Sequence, residues 1–561
     1  MITINIFGMI LLLQKWLLMR NKTARILFVI GFSCCLFINN AIANTLNDSV
    51  AIDIKNLIVI DPYTHKTKCQ SDLHCSSGYT ATFYQNNGDV PVWSSQGHVI
   101  AQMQSMVILL GKAANDGLNP NDYHLDRLKQ IYNLINTSQN ESQLSQNIAI
   151  FDIVLTDGVF LYLSDLAYGR VNYKKNYPKW SFEKRDININ EVFKQYLEDG
   201  NTQGLLQSVI PNASYYSDLK DKLARYQEIA AHGGFPIIPN GRDLKIGATG
   251  TRVKDLQKRL LISGELAPEH LTRHAVFNHE LRAAVILFQK NNGIRPSGIV
   301  DKNTLKILNI SINDRIKTIN FNLDRMRMMQ LDTRDQLILV NIPDYKLTLF
   351  DNESSIISMS AIVGNDKHQS CVLNSQISYL EINPYWNIPR SIAIKELLLK
   401  IILNPSYLTQ KHIDTFLVES GNKLQIDPDT VDWSSVDLQK FPYFFRQNPG
   451  NSNALGKVKF VFPNNCGIYL HDTDEPTLFG NKKRDLSHGC IRISEPIKLA
   501  TYLLQDKSSW SESAIESAVL SGKRRVVTLS HPEDVAITYF TSWVNERGYL
   551  QFRPDIYGLD N

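Results

Sequence analysis

Near residue 335 the spacing of apolar residues along this chain changes, and the change limits what the chain can fold into. Upstream, Val99 to Ala114, Phe151 to Tyr168, Val253 to Leu260 and His279 to Asn291 carry apolar residues at helical spacing. Downstream, Leu337-Ile338-Leu339-Val340-Asn341-Ile342 and Leu347-Thr348-Leu349-Phe350 flank the turn residues Pro343-Asp344-Tyr345 and read as two strands. Side chains of a helix repeat about every 3.6 residues and those of a strand every two, so neither pattern buries its apolar face in the other geometry. The expected class is therefore multidomain α+β, with helical domains followed by a mainly β domain. The 561 residues suffice for several cores, about three or four domains at roughly 100–200 residues each. With 43% hydrophobic and 20% charged residues, the composition excludes a disordered chain and a polytopic membrane protein. A net charge of +4 is too mild to argue for nucleic acid, and none is expected as a partner.

The amino terminus reads as an export signal over residues 1–43. Arg20, Lys22 and Arg25 precede an apolar run from Ile26 to Ile38, and Ala41-Ile42-Ala43 supplies the small-x-small cleavage pattern. Met19 is then the natural start, and the apolar stretch before it reflects an upstream start codon. A mature chain from Asn44 in a periplasm follows. The competing reading is an inner-membrane anchor left uncleaved, against which Gln14, Lys15, Arg20 and Lys22 interrupt the two apolar runs. Of seven cysteines, Cys34 and Cys35 leave with the signal, and Cys69 and Cys75 are close enough in sequence for a local disulfide. Cys371, Cys466 and Cys490 remain, an odd number, so at least one thiol is free; a Cys371–Cys466 bridge stays open at this level. No Cys-x-x-Cys pair or His/Glu cluster has metal-ligand spacing, so no metal is expected.

Five segments follow from turns and pattern changes: the signal, a helical domain over 44–235, a module over 240–312, a β-rich domain over 335–530 and a closing segment over 531–561. The 240–312 module carries three short helices, the third from Asn303 to Leu308, with Leu256, Phe288 and Gln289 assigned to its core. Within the β-rich domain, residues 391–445 turn helical and then polar and irregular, long for a loop, and read as a cap over a cleft.

The chemistry concentrates in Ser487-His488-Gly489-Cys490, preceded by His471 with fifteen residues between it and Ser487. A thiol attacks a carbonyl as thiolate, and an imidazole that accepts and returns its proton activates it. Gly489 permits a sharp turn that brings two N–H groups near the reacting carbonyl, an arrangement suited to an oxyanion hole. Alone, Cys490 would read as one more small buried residue and the histidines as satisfied core groups. The combination tips the balance.

That block, a histidine followed at this spacing by Ser/Thr-His-Gly-Cys, resembles the signature of the L,D-transpeptidases. The resemblance implies Cys490 as nucleophile and His471 as general base and acid, with Ser487, His488, Gly489 and Arg492 shaping the site and the Tyr469 hydroxyl near the oxyanion. DGLNPNDYH (116–124) and LSDLAYGRV (163–171) resemble the scaffold region of the large multidomain members. VKDLQKRL, VFNHELRAAVILFQKNNGI and GIVDKNTLKIL resemble the peptidoglycan-binding domain, and RQNPG followed by ALGKVKFVFPN resembles the branch with a capping subdomain. PYWNIP resembles a stretch that borders the active site, making Tyr385 and Trp386 substrate-groove candidates. One stretch departs from the family: between Val363 and Cys371 this chain carries Ser370-Cys371 where a Thr-Pro pair is usual, and His368 there reads as solvated surface. The implied activity is a cofactor-free acyl transfer through a Cys490 thioester, with peptidoglycan tetrapeptide stems as donor and acceptor, release of D-alanine and a 3→3 cross-link. Carbapenem inhibitors are expected to acylate Cys490, and other cell-wall synthesis proteins are candidate partners. Alternatives are an L,D-carboxypeptidase, a transferase attaching a protein to the wall, and a wall-binding scaffold with an inactive site.

Overall fold

The computed structural model describes residues 46–560 apart from 61–66, 70–74, 76–77, 96–97, 172–174, 176, 179, 183–184, 272–274, 330 and 332–335. The signal segment lies outside these residues. So does the Cys69 side chain; Cys75 is disulfide-bonded, but a Cys69–Cys75 pairing is not among the described contacts. The chain divides into two compact units, one of residues up to 167 with 186–210, the other of 168–185 with 211–561. Residues 211–235, assigned by pattern to the helical domain, therefore belong with the second unit, where Ser214–Ala231 packs on the helix Ile312–Met328 and Arg327 Nε donates to Tyr216 Oη at 3.0 Å.

The first unit is built on one long helix, α1 (Glu141–Tyr168), which begins ten residues before the apolar run at Phe151. Among the described residues it alone is long and apolar enough to cross a membrane, but most of its apolar window is buried inside the protein. Phe160 of α1 meets Phe83 and Phe193 with ring centroids 5.5 and 5.0 Å apart. Asp152 interrupts this face and is satisfied there: its carboxylate accepts from Tyr84 Oη at 2.6 Å and from the Val92 and Trp93 N–H groups at 3.0 and 2.9 Å. Burial still pushes its pKa up to about 6.

In the second unit α2 (Thr251–Ser263), α3 (His279–Asn291) and α4 (Lys302–Leu308) enclose Val253, Leu256, Leu260, Leu281, Val285, Phe288 and Leu305. Asn278 and Asp301 start the second and third helices by accepting from the Leu281 and Thr304 N–H groups at 2.9 and 2.7 Å. Gln289 is fully buried; its amide donates to Ile299 O and Thr304 Oγ1 and accepts from Gly298 N, which ties the turn before α4 to α3.

The β-rich region is a nine-stranded sheet. Its strands are β1 (Leu337–Asn341), β2 (Lys346–Asp351), β3 (Ser354–Gly364), β4 (Leu373–Ile382), β9 (Val458–Val461), β10 (Leu470–His471), β11 (Asp485–Ser487), β12 (Ile491–Ile493) and β13 (Arg525–Thr538). The order is β11-β3-β12-β10-β9-β4-β13-β1-β2, and β2 pairs again with β3, so the sheet returns on itself. The boundary expected at residue 530 falls inside β13. That strand bulges between Thr528 and Glu533, around Pro532, and then resumes its pairing with β4, because a bulge lets proline sit in a sheet without interrupting the whole strand.

The insert is more regular than its sequence suggested. β5 (Trp386–Ile388), β6 (Ile413–Glu419), β7 (Asn422–Ile426) and β8 (Tyr443–Gln447) form a separate antiparallel sheet in the order β7-β6-β8-β5. Ile388, Leu397, Ile401, Leu408, Trp433, Phe441 and Phe445 give it a core of its own. The insert thus begins in sheet pairing at Trp386, before the helical stretch at 390–403. β7 is exposed or half-buried throughout, so it lacks the alternation that would have revealed it.

Candidate active site

Two short strands assemble the reactive groups. β10 and β12 run parallel, with Leu470 opposite Ile491 and His471 opposite Arg492. Side chains alternate across a sheet, so Leu470, Ile491 and Ile493, all fully buried, pack into the core. The same alternation turns Tyr469, His471 and Arg492 to the other face, and Cys490, two residues before Arg492, joins them. Tyr469, His471, Cys490 and Arg492 line one open cleft of about 590 Å³, together with Ser487 and His488.

The turn carrying the thiol is held from two sides. Gly489 has φ +112°, a conformation that side chains rarely tolerate. Ser487 Oγ accepts from Gly489 N at 3.1 Å and donates to the Cys490 carbonyl at 2.5 Å. The Gly489 N–H is thus taken up inside the turn and does not serve an oxyanion, contrary to the expectation for that glycine. From behind, Ser370 Oγ donates to the Gly489 carbonyl at 2.8 Å and accepts from Gly364 N at 2.9 Å, while Tyr557 Oη donates to the Gly364 carbonyl at 2.6 Å. The divergent 363–371 stretch, distant from the thiol in sequence, is therefore its supporting wall. His368 is exposed as expected, but it lines the cleft with its ring 4.9 Å from that of His488. Cys371 is bonded to Cys466, a cleft residue, and Cys490 is a free cysteine. Cys371 therefore carries no free thiol.

Gly364 sits at the crowded point of this wall. A Cβ there would lie 2.0 Å from the His368 carbonyl oxygen and 2.7 Å from Ser370 N, both backbone atoms that cannot rotate away. Gly364→Ala should displace the 365–370 turn, release Ser370 from Gly489 and slow alkylation of Cys490 by at least the cost of one buried hydrogen bond, about fivefold for about 1 kcal/mol. Tandem measurement of thermal stability and iodoacetamide reaction rate checks this.

His471 is buried, and its Nδ1 lies 2.5 Å from the Asp472 carbonyl oxygen. A carbonyl only accepts, so Nδ1 carries the proton and Nε2 is left with its lone pair. Burial, then the Arg492 charge and, more weakly, that of Lys459 push the imidazole pKa down to about 3, against the opposing Asp472 contact. Burial also pushes the Cys490 thiol up, while the Tyr469 N–H and hydroxyl, Lys459 and Arg492 pull it down. Burial and the neighbouring sulfur hold the Tyr469 phenol well above its ordinary range, so it stays a donor. The resting pair is a neutral thiol beside a neutral imidazole.

Around them, Arg492 Nη1 donates to Thr473 Oγ1 at 3.2 Å and Glu475 Oε2 at 3.0 Å. His488 Nε2 lies 2.5 Å from Glu396 Oε1, a carboxylate of the insert. Trp386 lines the cleft. Tyr385 does not: as its neighbour along the chain it faces away, and its ring takes the Arg446 guanidinium at 4.7 Å. Sequence reasoning missed Lys459, Ser370, Tyr557 and Glu396. Lys459 lies in the ALGKVKFVFPN run and Ser370 in the departing 363–371 stretch, but only strand register and chain folding bring these four to the site. Among the described residues no group of His, Cys, Asp and Glu has a metal-holding arrangement.

Comparison with known families places three domains on the chain. Residues 79–223 match the scaffold domain, 249–308 the "Putative peptidoglycan binding domain" and 335–519 the L,D-transpeptidase catalytic domain named YkuD. A curated "Putative L,D-transpeptidase" of Haemophilus influenzae is 38% identical over 223 residues, which is 40% of this chain and 44% of that protein, so the match spans under half of the relative. Among solved structures, an L,D-transpeptidase of Xylanimonas cellulosilytica aligns at 14% identity over 54% of this chain and 99% of its own, with a TM-score of 0.17. One from Stackebrandtia nassauensis aligns at 13% identity over 54% and 96%, with a TM-score of 0.21. The β-rich region with Cys490 and His471 in its cleft is an L,D-transpeptidase catalytic domain, carried on one chain with a scaffold domain and a peptidoglycan-binding domain.

Proposed function

We propose that this protein cross-links peptidoglycan by L,D-transpeptidation. The observation that carries the reading is the parallel β10–β12 register, which turns a free thiol and a neutral, Nδ1-anchored imidazole to one face of the cleft. Cys490 Sγ attacks the carbonyl of the third stem residue, a diamino acid, while His471 Nε2 takes the thiol proton. The oxyanion forms beside the Tyr469 hydroxyl. His471 returns the proton to the departing nitrogen, the C–N bond breaks, D-alanine leaves and a thioester remains. A side-chain amine of a second stem then attacks the thioester, loses its proton to His471, and the C–S bond breaks to give a 3→3 cross-link and the free thiol. The insert supplies Trp386, Glu396, Lys400 and Tyr407 to the cleft wall, a placement suited to excluding water from the thioester and favouring the amine.

A periplasmic setting is part of this proposal, supported by the signal pattern of residues 1–43 and by cysteines in disulfides. Carbapenems, whose strained ring presents an acyl carbonyl, are expected to acylate the same thiol. Mass spectrometry of products from disaccharide-tetrapeptide tests the assignment, with Cys490→Ala as control. A dimer lighter by one alanine, made only by the unaltered chain, supports the transferase. Tripeptide monomer alone moves the assignment to an L,D-carboxypeptidase.

A further inference from the structure

Strand register places a row of charge across the sheet under the thiol. Glu381 of β4 pairs with Lys459 of β9, Lys459 pairs with His471 of β10, and His471 pairs with Arg492 of β12. Residues paired this way share a face with Cβ atoms about 5 Å apart, close enough to act on one another. Arg524 closes the row by gripping both oxygens of Glu381, at 3.0 and 3.3 Å. Lys459 itself is half-buried, with Nζ 4.1 Å from the centre of the Tyr469 ring. That ring lies 5.6 Å from the His471 imidazole, and Tyr469 and the Cys490 thiol are near enough to act on one another's ionisation.

From this arrangement we infer that Lys459 is a positioning residue for the acyl transfer, acting through Tyr469: its ammonium on the ring face strengthens the Tyr469 hydroxyl as a donor and favours negative charge at Cys490. A cation over a phenol ring is attracted by the π-electrons and draws density from the ring. The O–H is thereby more polarised toward sulfur or oxyanion. The same ammonium stands beside His471 and, with Arg492 on the other flank, opposes a resting imidazolium. Glu381 has the opposite sign and opposes the effect, while Arg524 shields part of its charge. The other charged groups lining the cleft are Glu475, already paired with Arg492, Glu396 against His488, Asp474 beside Lys411, and Lys395 and Lys400 of the insert; next to His471, the Asp472 carboxyl accepts from the Lys457 N–H. A purely structural Lys459–Glu381 cross-strand pair would predict that removing either partner harms the site alike. An electrostatic device predicts opposite signs.

The inference rests on Cys490 being the reactive thiol, and its test needs no peptidoglycan. The alkylation rate of Cys490 by iodoacetamide is measured against pH, with peptide mapping to isolate that residue, in the full chain and in Lys459→Met, Lys459→Arg and Glu381→Gln, with melting curves beside them. Lys459→Met should move the thiol titration upward and lower the rate at neutral pH by about three- to tenfold, a shift of about one half to one pH unit. Lys459→Arg should restore it, and Glu381→Gln should move the titration downward. Coincidence of the Lys459→Met and unaltered profiles, or shifts of Lys459→Met and Glu381→Gln in the same direction, overturns the inference. Failure of the product assay with the alkylation shifts intact would remove the transferase reading and leave the role of Lys459 standing.

Discussion

His471→Ala should lose about 10²- to 10⁴-fold in product formation from disaccharide-tetrapeptide, the usual contribution of one positioned proton acceptor. The thiol is held in its neutral form by burial, so nothing else in the resting site removes its proton. Nδ1 is committed to the Asp472 carbonyl, which fixes the ring and directs Nε2 as the acceptor. With a folded pKa near 3, the imidazole stays neutral through the range where an ordinary histidine titrates. The activity of the unaltered chain should accordingly show no acid limb near the free-histidine value of about 6.5. The stability sign follows from the same depression. The unfolded chain takes up a proton as pH falls through about 6.5, and the folded chain does so only near 3. The contribution of a neutral buried His471 is therefore complete above about 6.5 and is lost progressively below it. Urea midpoints of the unaltered and His471→Ala chains should converge as the pH is lowered. An acid limb near the free-histidine value, or a variant retaining most of the activity, would show that some other group takes the thiol proton.

The paired substitution Cys371→Ser with Cys466→Ser should lower stability by about 4 kcal/mol, because the bridge closes a loop with a sequence separation of 95 and the unfolded chain regains that freedom. The site should feel it too. Cys371 follows Ser370, whose hydroxyl holds the Gly489 carbonyl, and Cys466 lies in the cleft wall. Slack between the two should loosen the turn that presents Cys490, so the alkylation rate of Cys490 should change along with the melting temperature. Thermal unfolding with and without dithiothreitol separates the bridges. Reductant should lower the melting temperature of the unaltered chain more than that of the paired variant, in which Cys75 retains the only disulfide bond among the described cysteines. Equal sensitivity of the two chains would assign the stabilisation elsewhere.

How much of this was legible in the residues depended on the range of the interactions. The helices of the 240–312 module read through because their apolar spacing and their caps at Asn278 and Asp301 are local. The pairing of His471 with Cys490 read through as well, because both sit in one short motif. The insert stood out by its length, yet its sheet was missed, since β7 is held by backbone pairing to β6 and shows no buried face. Tyr385 and Trp386 could not be told apart in sequence, because the face each takes depends on the pairing of β5 with β8.

The residues alone determined the fold class and singled out Cys490 and His471 as candidates for the chemistry, properties written in spacing and residue type. Tertiary structure decided which of Cys371, Cys466 and Cys490 stays free, that Ser370 and Tyr557 brace the nucleophile turn, and that Lys459 stands between Glu381 and His471. Those facts follow from register and crossover between strands far apart in the chain, and a single-residue slip in either β9 or β10 would turn every one of their side chains to the opposite face.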